Sequence, residues 1–183
     1  MHIVAILIGV IWIVFWLFWL GAALTAKSGR SRWGQFAGVR AAFVILIVLL
    51  LRLGVIKKHA GVTTNPWLEG IGLAVFLLGL GLAVWARIYI GRNWGMPMTE
   101  KAEPELVSTG PYHTVRHPIY SGILLALIGS ALALGVYWFI AAAILGAYFI
   151  YSAVMEERYL TKLLPDSYPE YKRSTKMLIP YIL

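Results

Sequence analysis

The sequence predicts an all-α, polytopic integral membrane protein with about five transmembrane helices, on three observations. Of 183 residues, 60% are apolar and 13% are charged, about half the charge of an ordinary soluble domain. The apolar residues fall in long runs, several reaching the ~20 residues that cross ~30 Å of hydrocarbon. Lys and Arg collect in alternate intervals between those runs, as topology demands. The absence of cysteine excludes a disulfide-stapled module and a thiolate metal site.

The first run, about 2–24, contains no Lys, Arg, Asp or Glu. No positive charge precedes it and it is too long for a signal peptide, so it reads as an uncleaved anchor. The second, about 41–56, carries Arg52 near its end, within snorkelling reach of the interface. The third runs from about Leu68 to Ile90, and the polar stretch Gly91–His117, with its Gly, Pro, Asn and Thr, interrupts the apolar pattern. A fourth and a fifth run, Pro118–Leu134 and Val136–Met155, are parted by Gly135 and read as a tight helical hairpin. The whole chain, 1–183, is then one membrane domain, with N-terminal spans in 1–67 and a larger unit in 68–183.

Thirteen of the sixteen Lys and Arg lie in 25–40, 87–117 and 156–183. If these intervals face the cytoplasm, five spans place the N-terminus outside, and Lys57 and Lys58 stand opposite. The net charge of +8 is thereby a matter of topology and no longer argues for nucleic acid. The expected location is the plasma membrane of a prokaryote.

Chemistry belongs to the two polar blocks that the hairpin brings to one face, the 91–120 region and the segment from Met155 onward. His117-Pro118 starts a helix, since proline is favoured in a first turn. That start can be structural, or can serve an anion through its free N–H groups with Arg116, His117 and Tyr120 as added donors. Glu156-Glu157 can mark the interface, or one carboxylate can face a pocket while the other, ~100° away, meets solvent or a cation. Set among Tyr112, Tyr120, Tyr159, Tyr168 and Tyr171, such a carboxylate attracts a cationic ligand. Gly79-x-Gly81 lies inside a span without a preceding strand and is no dinucleotide loop; Gly79 and Ala83 rather permit close helix packing. Trp12, Trp16 and Trp19 serve packing or the interface, and Arg87 either snorkels or faces a cavity. No metal-ligand spacing and no nucleophile elbow is present.

Gly91-Arg-Asn-Trp94, Glu105-Leu-Val-Ser-Thr-Gly-Pro-Tyr112, Arg116-His-Pro-Ile-Tyr120-Ser-Gly122, Glu156-Glu157, Tyr168-x-x-Tyr171 and Leu178-Ile-Pro180 stand in order. Together they resemble the isoprenylcysteine carboxyl methyltransferase family, with the related phospholipid methyltransferases behind it. The resemblance covers about Gly91 to Pro180 and implies a membrane methyltransferase that uses S-adenosylmethionine without a Rossmann domain. It implies cofactor contacts from Leu106, Val107, Tyr112, His117, Pro118, Ile119, Tyr120 and Glu156, at the cytoplasmic face. Arg116 and Glu157 are the candidate catalytic pair, Glu157 as a possible base for an acceptor that must lose a proton.

Two positions depart from the pattern. Ser152 stands where family members acting on a prenylcysteine carboxylate have an arginine, and Met177 where an arginine is frequent, with Lys176 beside it. The expected partner is therefore a lipophilic acceptor or membrane lipid that need not be a prenylcysteine. The competing readings are a non-catalytic membrane ligand carrier and a phospholipid N-methyltransferase. The scarcity of charge within the spans weighs against ion transport.

Overall fold

The structure, a computed structural model, describes residues 2–23, 29–31, 65–94, 99–101 and 106–182. The predicted second span, with Arg52, Lys57 and Lys58, lies outside these residues. Helix α1 spans His2–Ala23 and α2 spans Pro66–Ile90. Asn65 caps α2, its side-chain oxygen accepting from Trp67 N at 3.0 Å, with proline in the first turn. The helix stops at Gly91, whose φ of +54° suits glycine.

Helix α3 spans Pro118–Leu134 and α4 spans Tyr137–Leu163. Only Gly135 and Val136 part them, and Gly135 turns the chain at φ +136°. The two run antiparallel: Leu124 faces Gly146, and the Tyr120 and Phe149 rings stack at 4.5 Å. The sequence ends the last span at Met155, whereas α4 continues through Glu156 and Glu157 to Leu163. At 1.5 Å per residue its 27 residues extend ~40 Å, so its polar end projects beyond ~30 Å of hydrocarbon. A short helix, α5 (Ser167–Ser174), follows. The bundle is helical throughout. Outside it, two three-residue strands, β1 (Gly29–Ser31) and β2 (Thr99–Lys101), pair antiparallel with Arg30 opposite Glu100, giving polar backbone a partner.

Helices α2 and α3 meet through small residues. Gly72 and Gly79 on α2, and Gly122 and Gly129 on α3, are each seven apart and so share a helix face. A Cβ added at Gly79 would stand 2.6 Å from the Gly122 carbonyl oxygen, and one at Gly129 2.7 Å from that of Gly72. Ala83 and Ala126 continue the seam, both fully buried. Such approach gives dispersion contact where lipid supplies no hydrophobic force between helices. The predicted packing role of Gly79 and Ala83 is the observed one.

Helix α1 lies along this pair, parallel to α2. Trp12 packs on Phe76 and its Nε1 donates to Ser130 Oγ on α3 at 3.2 Å. Further along, Trp19 meets the Trp94 ring edge-on at 5.7 Å. Arg87, 3% exposed, does not snorkel. Its guanidinium donates to the carbonyls of Ala22 and Gly91 and lies 4.6 Å over Trp94. One cation thus serves the C-terminal ends of α1 and α2, where carbonyls lack helical partners. On the outer face, Ile6, Val10, Ile13 and Leu17 of α1 and Leu77, Leu78 and Ile88 of α2 are exposed, a surface suited to hydrocarbon.

Candidate functional site

The site is assembled where the polar loop and the C-terminal segment meet the start of α3. Main-chain bonds stitch the two segments together: Arg116 N donates to Lys176 O at 2.8 Å and His117 N to Met177 O at 3.1 Å. Ser121 Oγ donates to Leu178 O at 2.6 Å, and Tyr171 Oη to Tyr112 O at 2.6 Å. Tyr112 Oη in turn donates to Ala86 O on α2 at 3.3 Å. Pro118 fixes the helix start and is buried behind it. Residues about 60 apart in the chain are therefore held by bonds that need no particular side chain at one end.

Charge organises the centre. Glu157 is 1% exposed; its Oε1 lies 2.6 Å from Arg116 Nε and its Oε2 lies 2.8 Å from Lys172 Nζ. Arg116 also donates from Nη1 to Thr175 O at 2.5 Å and to Lys172 O at 3.2 Å, at the end of α5. His117 sits between the two glutamates, with Nε2 3.5 Å from Glu157 Oε1 and Nδ1 4.0 Å from Glu156 Oε2. Its ring stacks on Tyr120 at 5.3 Å, which stacks on Phe149. The sequence leaves Glu157 to meet solvent or a cation. The structure gives it two cations and a buried place, because the turn of α4 that exposes Glu156 carries Glu157 inward under Arg116.

Beside this network lies a pocket that opens to solvent. Its walls include Leu106, Val107, Tyr112, Arg116, His117, Ile119, Tyr120 and Glu156, eight of the ten site residues the sequence singles out. Pro118 and Glu157 do not line it. Ile90, Asn93, Trp94, Leu160, Tyr168 and Tyr171 do. The tyrosines belong to the aromatic set that the sequence offers, and Asn93 and Trp94 to the Gly91-Arg-Asn-Trp94 motif. Ile90 and Leu160 carry no sequence signal. Burial raises the phenols of Tyr112, Tyr168 and Tyr171 well above the ordinary range. Glu156 adds to the effect at Tyr112, and Glu157 at Tyr168 and, against Arg116, at Tyr171. All three stay protonated at neutral pH.

A family model, phospholipid methyltransferase, matches residues 68–167. The chain belongs to this family. The match runs from α2 to the start of α5 and includes Arg116, His117, Tyr120, Glu156 and Glu157. Named relatives include two methyltransferases and a metal-resistance protein. One is the protein-S-isoprenylcysteine O-methyltransferase B of Arabidopsis thaliana, 27% identical over 145 residues that cover 77% of this chain and 74% of the relative. A methanethiol S-methyltransferase of a Pseudomonas species is 27% identical over 179 residues, 87% of this chain and 67% of that one. A cobalt-zinc-cadmium resistance protein of Cupriavidus metallidurans is 30% identical over 119 residues, 63% and 52%. As a phospholipid methyltransferase family member with long lipid-facing helices, the chain is an integral membrane protein. Ser152, at the position that departs from the prenylcysteine pattern, lies one turn before Glu156 on α4. It is fully buried, and its Oγ has no hydrogen-bond partner among the described residues.

Proposed function

We propose that the protein transfers a methyl group from S-adenosylmethionine to a lipophilic acceptor, with the cavity on the cytoplasmic face and the N-terminus outside. The observation that carries this reading is the cavity itself, a carboxylate among aromatic rings, built on a methyltransferase family scaffold. The donor set suits the cofactor. Glu156 offers an anion to an ammonium, and the rings of Tyr112 and Tyr168 suit a sulfonium. The start of α3 presents helix N–H groups and a partial positive charge toward a carboxylate. Leu106, Val107 and Ile119 supply apolar wall. When bound, S-adenosylmethionine supplies an electrophilic methyl carbon on a good leaving group.

The protein's part is alignment and exclusion of water. Arg116 is a cation on the cavity wall, available to an anionic acceptor, and Glu157 acts through it as a positioning residue, since Glu157 does not line the cavity. The relatives' names cover oxygen and sulfur methylation, so both acceptor chemistries are open to this site. Ser152 leaves a carboxylate acceptor without the cation expected at that position.

Titration of the purified protein with S-adenosylmethionine by calorimetry tests the reading. Saturable binding is expected, and Glu156→Gln should weaken it roughly 10- to 150-fold, the worth of one charge-assisted hydrogen bond, with the melting temperature unchanged. No binding at millimolar cofactor would reject the proposal. The orientation has its own check in a chain free of native thiols: Thr99→Cys and Leu183→Cys should label from the same side, and Lys57→Cys from the other. Shared accessibility of Thr99→Cys and Lys57→Cys would overturn it.

A further inference from the structure

We infer that the turn 179–182 is an interfacial anchor: its apolar side chains enter the bilayer beside α3, while Arg173 and Lys176 bind anionic lipid headgroups. The inference needs only that the chain spans a membrane, and stands apart from the methyl-transfer reading. Ile179, Tyr181 and Ile182 are 47%, 90% and 75% exposed. Leu178, just before them, is buried and fixed, its carbonyl accepting from Ser121 Oγ at 2.6 Å. Ile182 N donates back to Ile179 O at 3.2 Å, which closes these residues into one short turn.

The depth of the turn follows from α3. Ser121 stands in the first turn of that helix. Leu125 and Ile128, four and seven positions on, share its face and are exposed. The turn 179–182 therefore adjoins a flank of α3 that offers apolar side chains to hydrocarbon. The 17 residues of α3 extend ~25 Å, less than the ~30 Å of hydrocarbon. Its first turn then sits at the hydrocarbon edge and does not stand clear of it. Side chains at that level meet the boundary between acyl chains and headgroups. Tyrosine is favoured there, and an exposed isoleucine is relieved of its contact with water.

Charge selects the lipid. The segment 167–182 carries Lys172, Arg173 and Lys176 against Glu170 alone. Lys172 is engaged by Glu157 at 2.8 Å, whereas Arg173 and Lys176 stand exposed. Lys176 is held in place by its main chain, which accepts from Arg116 N at 2.8 Å and donates to Thr114 O at 3.4 Å. Exposed cations alone describe a solvated face. Cations joined to an exposed apolar turn at the membrane edge match an anionic leaflet. The carbonyls of Lys176, Met177 and Leu178 accept from Arg116, His117 and Ser121, so an anchor here also steadies the segment bonded to the start of α3.

Fluorescence of the full chain in nanodiscs, one chain to a disc, tests this. An environment-sensitive dye on Tyr181→Cys, in a chain without native cysteine, should emit as in an apolar medium. The position is 90% exposed, so the label displaces no packing. A nitroxide near the lipid headgroup should quench it more than one deep in the acyl chain, with the reverse order for a dye on Ile13→Cys of α1. Adding phosphatidylglycerol to phosphatidylcholine discs should raise the docked-to-free ratio, read from quenching by aqueous iodide, by roughly 5-fold for each of Arg173 and Lys176. Arg173→Gln combined with Lys176→Gln, or molar salt, should remove that gain. Full iodide quenching with none from the lipid nitroxides would overturn the anchor. Equal docking in neutral and anionic discs would overturn the role of the two cations. A dye shielded only when two chains share a disc would assign the turn to a second copy, and overturn the lipid as its partner.

Discussion

Along α2 and α3 the backbones meet at Gly72, Gly79, Gly122 and Gly129, and what holds them is contact between atoms with no formal charge. At the start of α3 the same helix is held by Arg116, Glu157 and Lys172, and by main-chain bonds to the C-terminal segment. The first region sits at the depth of hydrocarbon, where a polar side chain is expensive and small residues buy close approach. The second stands where water and charge are available, so segments distant in the chain can be joined by ion pairs and backbone carbonyls. The seam is rigid because nothing larger fits. The polar cap is rigid only while its charges are complete, and there the cavity is built.

Removing charge should therefore cost the cap more than adding volume costs the seam. Glu157→Ala leaves Arg116, 7% exposed in its side chain, without its carboxylate. Breaking a buried pair in this way costs about 3–5 kcal/mol, so thermal unfolding in detergent should move strongly downward. A shift no larger than that of a surface substitution would show that the ion pairs are incidental. Gly79→Ala comes next. Its Cβ meets backbone of α3 that cannot rotate aside, and overpacking of this kind costs about 1–3 kcal/mol. The smallest effect belongs to Gly81→Ala on the same helix, whose Cβ would meet open space. It should be neutral or stabilise by up to about 1 kcal/mol through helix propensity. Equal melting temperatures for Gly79→Ala and Gly81→Ala would dissolve the distinction between the seam and the lipid-facing side.

The order and extent of the described spans are legible in the sequence because hydrocarbon rewards apolar length whatever the neighbours are. That is why 2–24, Leu68–Ile90 and Pro118–Leu134 reappear within a residue or two as α1, α2 and α3. Pro118 announces its helix for an equally local reason, the missing N–H in a first turn. Motif order was enough for the family, and for eight cavity residues between Leu106 and Glu156. The end of α4 was not legible. A run of hydropathy stops at Met155, but the helix continues because Glu157 finds Arg116 and Lys172, partners 41 and 15 positions away that no window along the chain connects.

The same distance effect decided the rest. Arg87 reads equally well as snorkelling or inward, and the C-terminal carbonyls of α1 and α2 settle it inward. Ile90 and Leu160 became cavity walls only because α2 and α4 flank the start of α3. Composition and periodicity determined that the chain lies in a membrane, and which segments are helices. Which glutamate faces the cavity, which is buried beneath it, and which nitrogen of His117 meets each depend on the rotation of α4 against α3. Packing and long-range charge set that rotation, and neither is a property of any local stretch of sequence.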